Sequence, residues 1–407
     1  MRIVIVGNST AAVGAIEGIR LFDQKSEIIV IANEEAHTYS RPLISYLLEG
    51  KTDLQRMKYR PDDFYERHNV TALLGQTVTA VDAGAHELTL AAGGKVPYDK
   101  LVWAAGSRPF IPPVQGLDSA PYYTFQSLAD AEKLASALSP DSRVLIIGAG
   151  LIGLKCAEGI AGRCARITIA DIAPRILPSI LDEEGAALVQ AHAEKHGIRF
   201  HLGNAVQSVD GNTARLADGT ALDYDILVVA SGVKPNLEPL TAIGAKAGRG
   251  ILTDANGLTS LPDIYAAGDV AESLDITDGL SRILAILPGA YQQGKAAGKA
   301  IAGFPVPFDE AMPVNSLGLF GLHMGTAGVA KGESTVTQTD ADYRRFFFAD
   351  GKLVGFILIG DLHRAGIYTA LVRAKIPLDT VQFDPQKPAL AAFAPAARQK
   401  MINGENA

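Results

Sequence analysis

Two short glycine-bearing stretches constrain this chain more than any other feature. In "LIIGAGLIG" at residues 145–153, Gly148, Gly150 and Gly153 stand between an apolar run and a helix-like one. The chain already opens with an altered copy, "VIVGNSTAAVGA", which keeps Gly7 but has Ser9 and Ala12 where the other has Gly150 and Gly153. In a G-x-G-x-x-G loop the first glycine permits a tight turn, the second lets the backbone approach a pyrophosphate, and the third lets helix and strand pack closely. The helix that follows turns its unpaired amides toward the phosphates. Ala is an accepted third residue, and the Ser9 hydroxyl can donate a hydrogen bond. Each copy reads as a strand, turn and helix unit for a dinucleotide.

The repeat extends beyond the loops. "YDKLVWAAGSRP" at 98–109 and "YDILVVASGVKPN" at 224–236 share an apolar strand, small residues, a glycine, a cation and a proline. Gly106 lies 99 residues after Gly7, and Gly232 lies 84 after Gly148, so a whole domain is duplicated. "IYAAGDVAE" at 264–272 and "GAYQQGKAAGKAIAG" at 289–303 follow both halves, as expected if the second domain is inserted in the first. Beyond Pro305, "YRRFFFADGKLVGFILIG" reads as two strands joined at Asp350-Gly351, and a helix is expected from about Ala365 to Lys375. The fold class is therefore α/β. It comprises two Rossmann-like, doubly wound nucleotide-binding domains, the second inserted in the first, plus a C-terminal α+β domain. The expected boundaries are 1–110 with 241–305 for the first domain, 111–240 for the second, and 306–407 for a strand-rich interface domain.

Composition excludes several partners. Of 407 residues, 48% are hydrophobic and 20% charged, as in a compact enzyme, and a net charge of −7 lacks the Lys and Arg surplus that nucleic acid requires. No apolar stretch reaches the roughly 18 to 20 residues of a membrane span, and no signal peptide precedes "MRIVIVG", so a cytoplasmic protein is expected. Cys156 and Cys164 have neither redox-pair nor iron-sulfur spacing and read as buried thiols. His192 and His196 are spaced i,i+4, but Gly197 reads as the helix stop, which sets His196 at a favourable dipole end; no metal is expected.

Asp171, 21 residues after Gly150 at the end of "RITIAD", is placed to accept hydrogen bonds from ribose hydroxyls and to repel a 2′-phosphate, so NAD(H) is favoured over NADP(H). Its counterpart in the first half is Glu34, with Glu35 as rival. In "AAGD", Gly268 lets a ligand pass close to the backbone and Asp269 offers a carboxylate to a polyol. Asp269 and Glu272 also have capping-box spacing.

The order of G-x-S-x-x-A, "YSRPLISYLLEG" (39–50), "AAGSRP", G-x-G-x-x-G, "APRILP", "LDEEGAAL", "SGVKPN" and "YAAGDVAE" resembles the FAD-dependent pyridine-nucleotide reductases. It is most similar to the branch of NADH:rubredoxin reductases and the flavoprotein part of assimilatory nitrite reductases. The resemblance implies FAD in the first loop and NADH in the second. Gly7, Ser9, Ala12, Glu34, Arg41, Pro42, Gly106, Gly268 and Asp269 would then touch FAD, and Gly148, Gly150, Ile152, Gly153, Asp171 and Gly232 would line the NADH site. Arg41 would face the pyrophosphate or the flavin ring, its alternative being an unpaired surface residue.

Two departures narrow the chemistry. Disulfide-reducing relatives carry cysteines on the helix where this chain reads "RPLISYLLEG". Many relatives also have Glu where this chain has Lys155, the one candidate catalytic side chain, which either pairs with Glu158 on its own helix or faces nicotinamide or flavin. The expected function is electron transfer between NAD(H) and an external redox protein, rubredoxin-like or another iron-sulfur acceptor. Resemblance to the flavoprotein subunit of a phenylglyoxylate-type dehydrogenase gives the alternative, an NAD-linking FAD subunit of a 2-oxoacid dehydrogenase complex. A hetero-oligomer or a homo-oligomer is compatible with both. A nicotinamide-sensing flavoprotein, marked by slow reduction and a long-lived charge-transfer complex, is the third reading.

Overall fold

The computed structural model describes residues 1–339, 342–384 and 392–393. The remainder of the domain expected over 306–407 lies outside the described residues.

In the first half, β1 (Arg2–Val6) runs through the Gly7 turn into α1 (Thr10–Arg20), followed by β2 (Glu27–Ala32), α2 (Ile44–Leu48) and β3 (Val70–Leu74). A three-stranded antiparallel meander, β4 (Val78–Asp82), β5 (Glu87–Leu90) and β6 (Lys95–Pro97), leads to β7 (Lys100–Trp103) and the short β8 (Ser107–Pro109). The second half repeats the plan after a leading helix, α3 (Leu128–Ala137). β9 (Arg143–Ile147), α4 (Leu151–Ile160), β10 (Arg166–Asp171), α5 (Glu183–Lys195) and β11 (Ile198–Leu202) precede the meander β12 (Val206–Asp210), β13 (Thr213–Leu216) and β14 (Ala221–Asp223). β15 (Ile226–Val229) and β16 (Val233–Pro235) close it. The chain then returns to the first half with β17 (Ile264–Ala266) and α6 (Leu287–Ile301).

The two sheets are parallel, in the orders β17-β7-β1-β2-β3 and β11-β10-β9-β15. Strands such as Ile3–Ile5 and Val144–Ile146, buried on both faces, read as unbroken apolar runs for that reason. The duplicated markers meet each other: β8 pairs antiparallel with β16, setting Arg108 opposite Lys234 and Ser107 opposite Pro235. Trp103 Nε1 donates to Asn236 O at 2.9 Å, and Asn236 Nδ2 donates to Ala105 O at 2.8 Å, so the crossing is tied on both sides.

The last domain is an antiparallel sheet of β18 (Val314–Leu319), β19 (Leu322–Gly328), β20 (Glu333–Gln338), β21 (Tyr343–Ala349) and β22 (Lys352–Ile359), with α7 (Ala365–Ala374). Asp350 and Gly351 both adopt positive φ in the expected two-residue turn. One face packs under α7 through Phe346, Phe356 and Leu371, while Leu319, Met324, Tyr343 and Ile359 join the core of the second half.

One local expectation fails. Asp269 and Glu272 cap no helix, because residues 268–270 form a turn and Ala271 then bridges to Ile251; Glu272, buried, instead accepts from Gly250 N at 2.9 Å. No helix among the described residues is long and apolar enough to cross a membrane.

Candidate functional site

The two glycine loops are built alike. Gly7 and Gly148 sit at φ of +119° and +121°, and a Cβ on either would collide with the carbonyl oxygen of the neighbouring strand, Ala104 or Ala230. Gly7 N donates to Ile31 O and Gly148 N to Ala170 O, both at 2.8 Å. A Cβ on Gly153 would strike Gly148 O, so only glycine fits there, whereas the first half seats buried Ala12. Space around Gly150 is open. Ser9 N-caps α1 in an extended conformation, its hydroxyl making no capping bond. Free first-turn amides at both loops, with the uncommitted Ser9 hydroxyl at the first and the open approach at Gly150 in the second, fit a pyrophosphate. Ile152 is half-buried on the first turn of α4.

The acids differ in a way that composition did not show. Asp171 ends β10 and accepts from Ala149 N at 2.6 Å and Ala173 N at 2.7 Å. Asn204 N bonds Asp171 O as Gln76 N bonds Ala32 O, and Gly203 N bonds Ala173 O as Gly75 N bonds Glu34 O. The register equivalent of Asp171 is thus Ala32, and Glu34 stands two residues later. Glu35 is exposed, with its side chain beside Gly75.

Glu34 is joined to Arg41 by an ion pair and accepts from Tyr39 Oη at 2.6 Å, so Arg41 is not an unpaired surface residue. Pro42 follows Arg41 in a short 3-10 turn. Arg41 also donates to Gln126 O at 3.0 Å, and Gln126 Nε2 donates to Ser107 O at 3.0 Å. Ser107 Oγ lies 3.5 Å from Asp269 Oδ2. Burial pushes the Asp269 carboxyl up, with Arg41 and Ser107 opposing. Gly268 and Gly106, at φ of +82° and +60°, stand next to Asp269 and Ser107, while Gly232, at φ +109°, accepts from Phe110 N at 2.9 Å beside the β8–β16 crossing. Glu34, Arg41 and Asp269 are therefore brought together. Sequence reasoning missed Tyr39 and Gln126: the first lay inside a quoted motif, and the second is a lone polar residue in a loop.

Lys155 is largely buried. It forms an ion pair with Glu158, donates to Gly318 O at 3.2 Å and lies 4.5 Å from the centroid of Tyr46 on α2. Those contacts offset the unfavourable placement of a cation near a helix start. Phe320 N donates to Glu158 Oε1 at 2.5 Å, tying the same pair to the C-terminal domain. The histidines are occupied there too: His192 Nε2 lies 3.0 Å from Phe320 O, and His196, the last residue of the helix end, stacks on the Phe320 ring. Among the described residues no group of three or more His, Cys, Asp or Glu is placed to hold a metal.

Cys156 is fully buried, but Cys164 is only half-buried, because it follows the end of α4 and turns toward Ile160 O. Burial pushes both thiols up, Cys164 to about 11, which leaves negligible thiolate at neutral pH. Slow alkylation of the native protein at pH 8, and full electron transfer in C156A and C164A, are the expected results; loss of transfer with FAD retained would restore a role for a thiol.

Parallel sheets bearing paired phosphate loops, each backed by a strand-end or loop acid, define a two-dinucleotide oxidoreductase. Residues 1–294 match the pyridine nucleotide-disulphide oxidoreductases, and the chain belongs to that family; residues 313–376 match the rubredoxin NAD+ reductase C-terminal domain. It is an enzyme that uses FAD and NAD(H). The chain is 32% identical to the epsilon subunit of NADH-dependent phenylglyoxylate dehydrogenase from Aromatoleum evansii, over 92% of each chain. It is also 32% identical to the assimilatory nitrate reductase electron transfer subunit of Bacillus subtilis, covering 88% of this chain and 48% of that one. The crystal structure of the covalent putidaredoxin reductase-putidaredoxin complex shares the fold, with a TM-score of 0.86 at 24% identity, covering 99% of this chain and 98% of that one.

Proposed function

We propose that this chain passes electrons between NAD(H) and an external iron-sulfur or rubredoxin-like protein, in the cytoplasm, without a redox-active disulfide. Residues 1–110 with 241–305 bind FAD, 111–240 bind NAD(H), and 306–407 form an interface domain. The observation that carries the reading is α2: its sequence "ISYLL" holds no thiol, Tyr46 there lies against Lys155, and both cysteines lie on or after α4, where burial keeps them protonated. Bound FAD supplies the conversion between paired electrons from NADH and single electrons for the acceptor.

The protein's part is positional. Gly7, Ser9 and Ala12 with the start of α1 hold one pyrophosphate; Gly148, Gly150 and Gly153 with α4 hold the other. Glu34 and Asp171 take ribose hydroxyls, Arg41 balances phosphate charge, and Asp269 orients the polyol beside Gly268. Lys155, fixed by Glu158 and Gly318, presents its charge between the two halves. K155A is expected to slow reduction by NADH about 10-fold, the scale of one charge-assisted contact; an unchanged rate would reduce Lys155 to a strut.

End-to-end similarity to the epsilon subunit favours a second reading, an NAD-linking subunit of a 2-oxoacid dehydrogenase complex. Native mass and subunit composition after gentle isolation separate the two. A lone flavoprotein that reduces rubredoxin or ferredoxin with NADH supports the first; co-migration with iron-sulfur subunits supports the second.

A further inference from the structure

Glu34 has a positional difficulty that Asp171 does not. Asp171 ends a strand and is tied by two backbone amides, those of Ala149 and Ala173. Glu34 stands two residues beyond β2, flanked by exposed Asn33 and Glu35, and side chains must tie it instead. One is Arg41. The other is Tyr39, only 9% exposed, whose hydroxyl donates to Glu34 Oε2 at 2.6 Å and accepts from Leu128 N at 2.8 Å. Leu128 is the first residue of α3, whose N-terminus is set by a Ser127–Asp130 capping box, so the hydroxyl rests on a fixed amide. Burial and the adjacent carboxylate push the phenol up, which keeps it protonated and able to donate. A hydroxyl with one proton and one anchored donor has a single satisfactory orientation here: proton to Glu34, lone pair to Leu128.

We propose that Tyr39 is a positioning residue for FAD, holding the Glu34 carboxylate in place by anchoring it to the first amide of α3. The inserted half of the chain thereby contributes to FAD retention through Glu34. The inference rests on the reading of Glu34 as the ribose acid.

The experiment measures the rate at which FAD leaves the full-length holoprotein after dilution, followed by flavin fluorescence, in E34Q, Y39F and the double variant. E34Q is expected to speed release about 10- to 100-fold and Y39F about 5- to 30-fold, with the double variant within about twofold of E34Q alone, because residues acting as one unit are not additive. NADH affinity stays within about twofold of the parent in all three. L128P is a second probe. Proline is tolerated at the first helical position, and Ser127 is already extended at φ −115°, ψ 166°, so the substitution removes the anchoring N–H while the helix persists. It should also speed release, and less so on a Y39F background. A full Y39F effect in the absence of Glu34, or FAD release by E34Q but by neither Y39F nor L128P, would overturn the role of Tyr39. No effect of E34Q would overturn the ribose reading and this inference with it.

Discussion

Replacing Asp171 with Asn is expected to raise the NADH dissociation constant about 10- to 100-fold while FAD stays bound. Hydrogen bonds to an ionised group contribute about 1.5–3 kcal/mol, and each 1.4 kcal/mol is tenfold in affinity. The side chain also shapes the loop itself, since Oδ2 holds Ala149 N in the glycine loop and Oδ1 holds Ala173 N beyond the strand. Asn keeps one acceptor oxygen and turns a donor toward the other amide, so the loop that carries Gly150 loosens as the ribose contact weakens. The acid of the proposed FAD half has ties of its own, through Tyr39 and Arg41. Loss of the negative charge should also narrow the preference for NADH over NADPH, since the repulsion of a 2′-phosphate falls away. Titration of the flavoprotein with each nucleotide measures both effects. Equal loss of FAD and NADH would mean that the two halves have been assigned the wrong ligands.

How far the sequence was legible depended on the range of the interactions involved. The loops, their strands and the Asp350-Gly351 turn were readable because glycine placement and apolar runs are local signals, and the duplication showed itself in paired markers. That the two markers would pair with each other as β8 and β16 was not readable, since it is a contact between residues more than 120 positions apart. Glu34 and Glu35 both follow the apolar run ending at Ala32, and what separates them in the structure is the hydroxyl of Tyr39 and the guanidinium of Arg41 on Glu34, whose directions no spacing encodes. The capping-box reading of Asp269 failed because a D-x-x-E pattern specifies a helix start only where the following backbone is free to coil, and residues 270–272 are instead bridged to the 250–251 segment. For Lys155 the structure shows the local reading, the pair with Glu158, and adds a contact with Tyr46 on α2 that no spacing announces. His192 and His196 touch each other, as their i,i+4 spacing allows, but their contacts with Phe320, more than 120 residues away, were not readable.

The most damaging single methyl group should be the one added by Gly294→Ala. Gly294 and Gly298 on α6 and Gly14 and Gly18 on α1 form a G-x-x-x-G pair on each helix, and a Cβ at any of the four would run into backbone of the other helix. At Gly294 the obstacle is the carbonyl of Ala11, the tightest approach of the set. Glycine inside a helix costs about 1 kcal/mol relative to alanine, so four of them persist only if close backbone packing returns more than that. Alanine at 294 regains that propensity but forces the helices apart, and overpacking of this kind costs about 3 kcal/mol. On the proposed site assignment the damage reaches FAD through Gly268. Gln293, the next residue, accepts from Gly268 N at 2.6 Å, and Ala11 also abuts Gly268, so displacing α6 moves the turn that carries Asp269. The net loss of about 2 kcal/mol should therefore release FAD about 4–8 °C lower than in the parent, on a scale of roughly 2–4 °C per kcal/mol for a unit of this size. Gly162→Ala is the matched control, because nothing lies within 4 Å of the added Cβ, and it should change the midpoint little. If G294A releases FAD at the parental temperature, the two helices do not meet as closely as their glycines require, and the packing of α6 against the flavin loop would have to be abandoned.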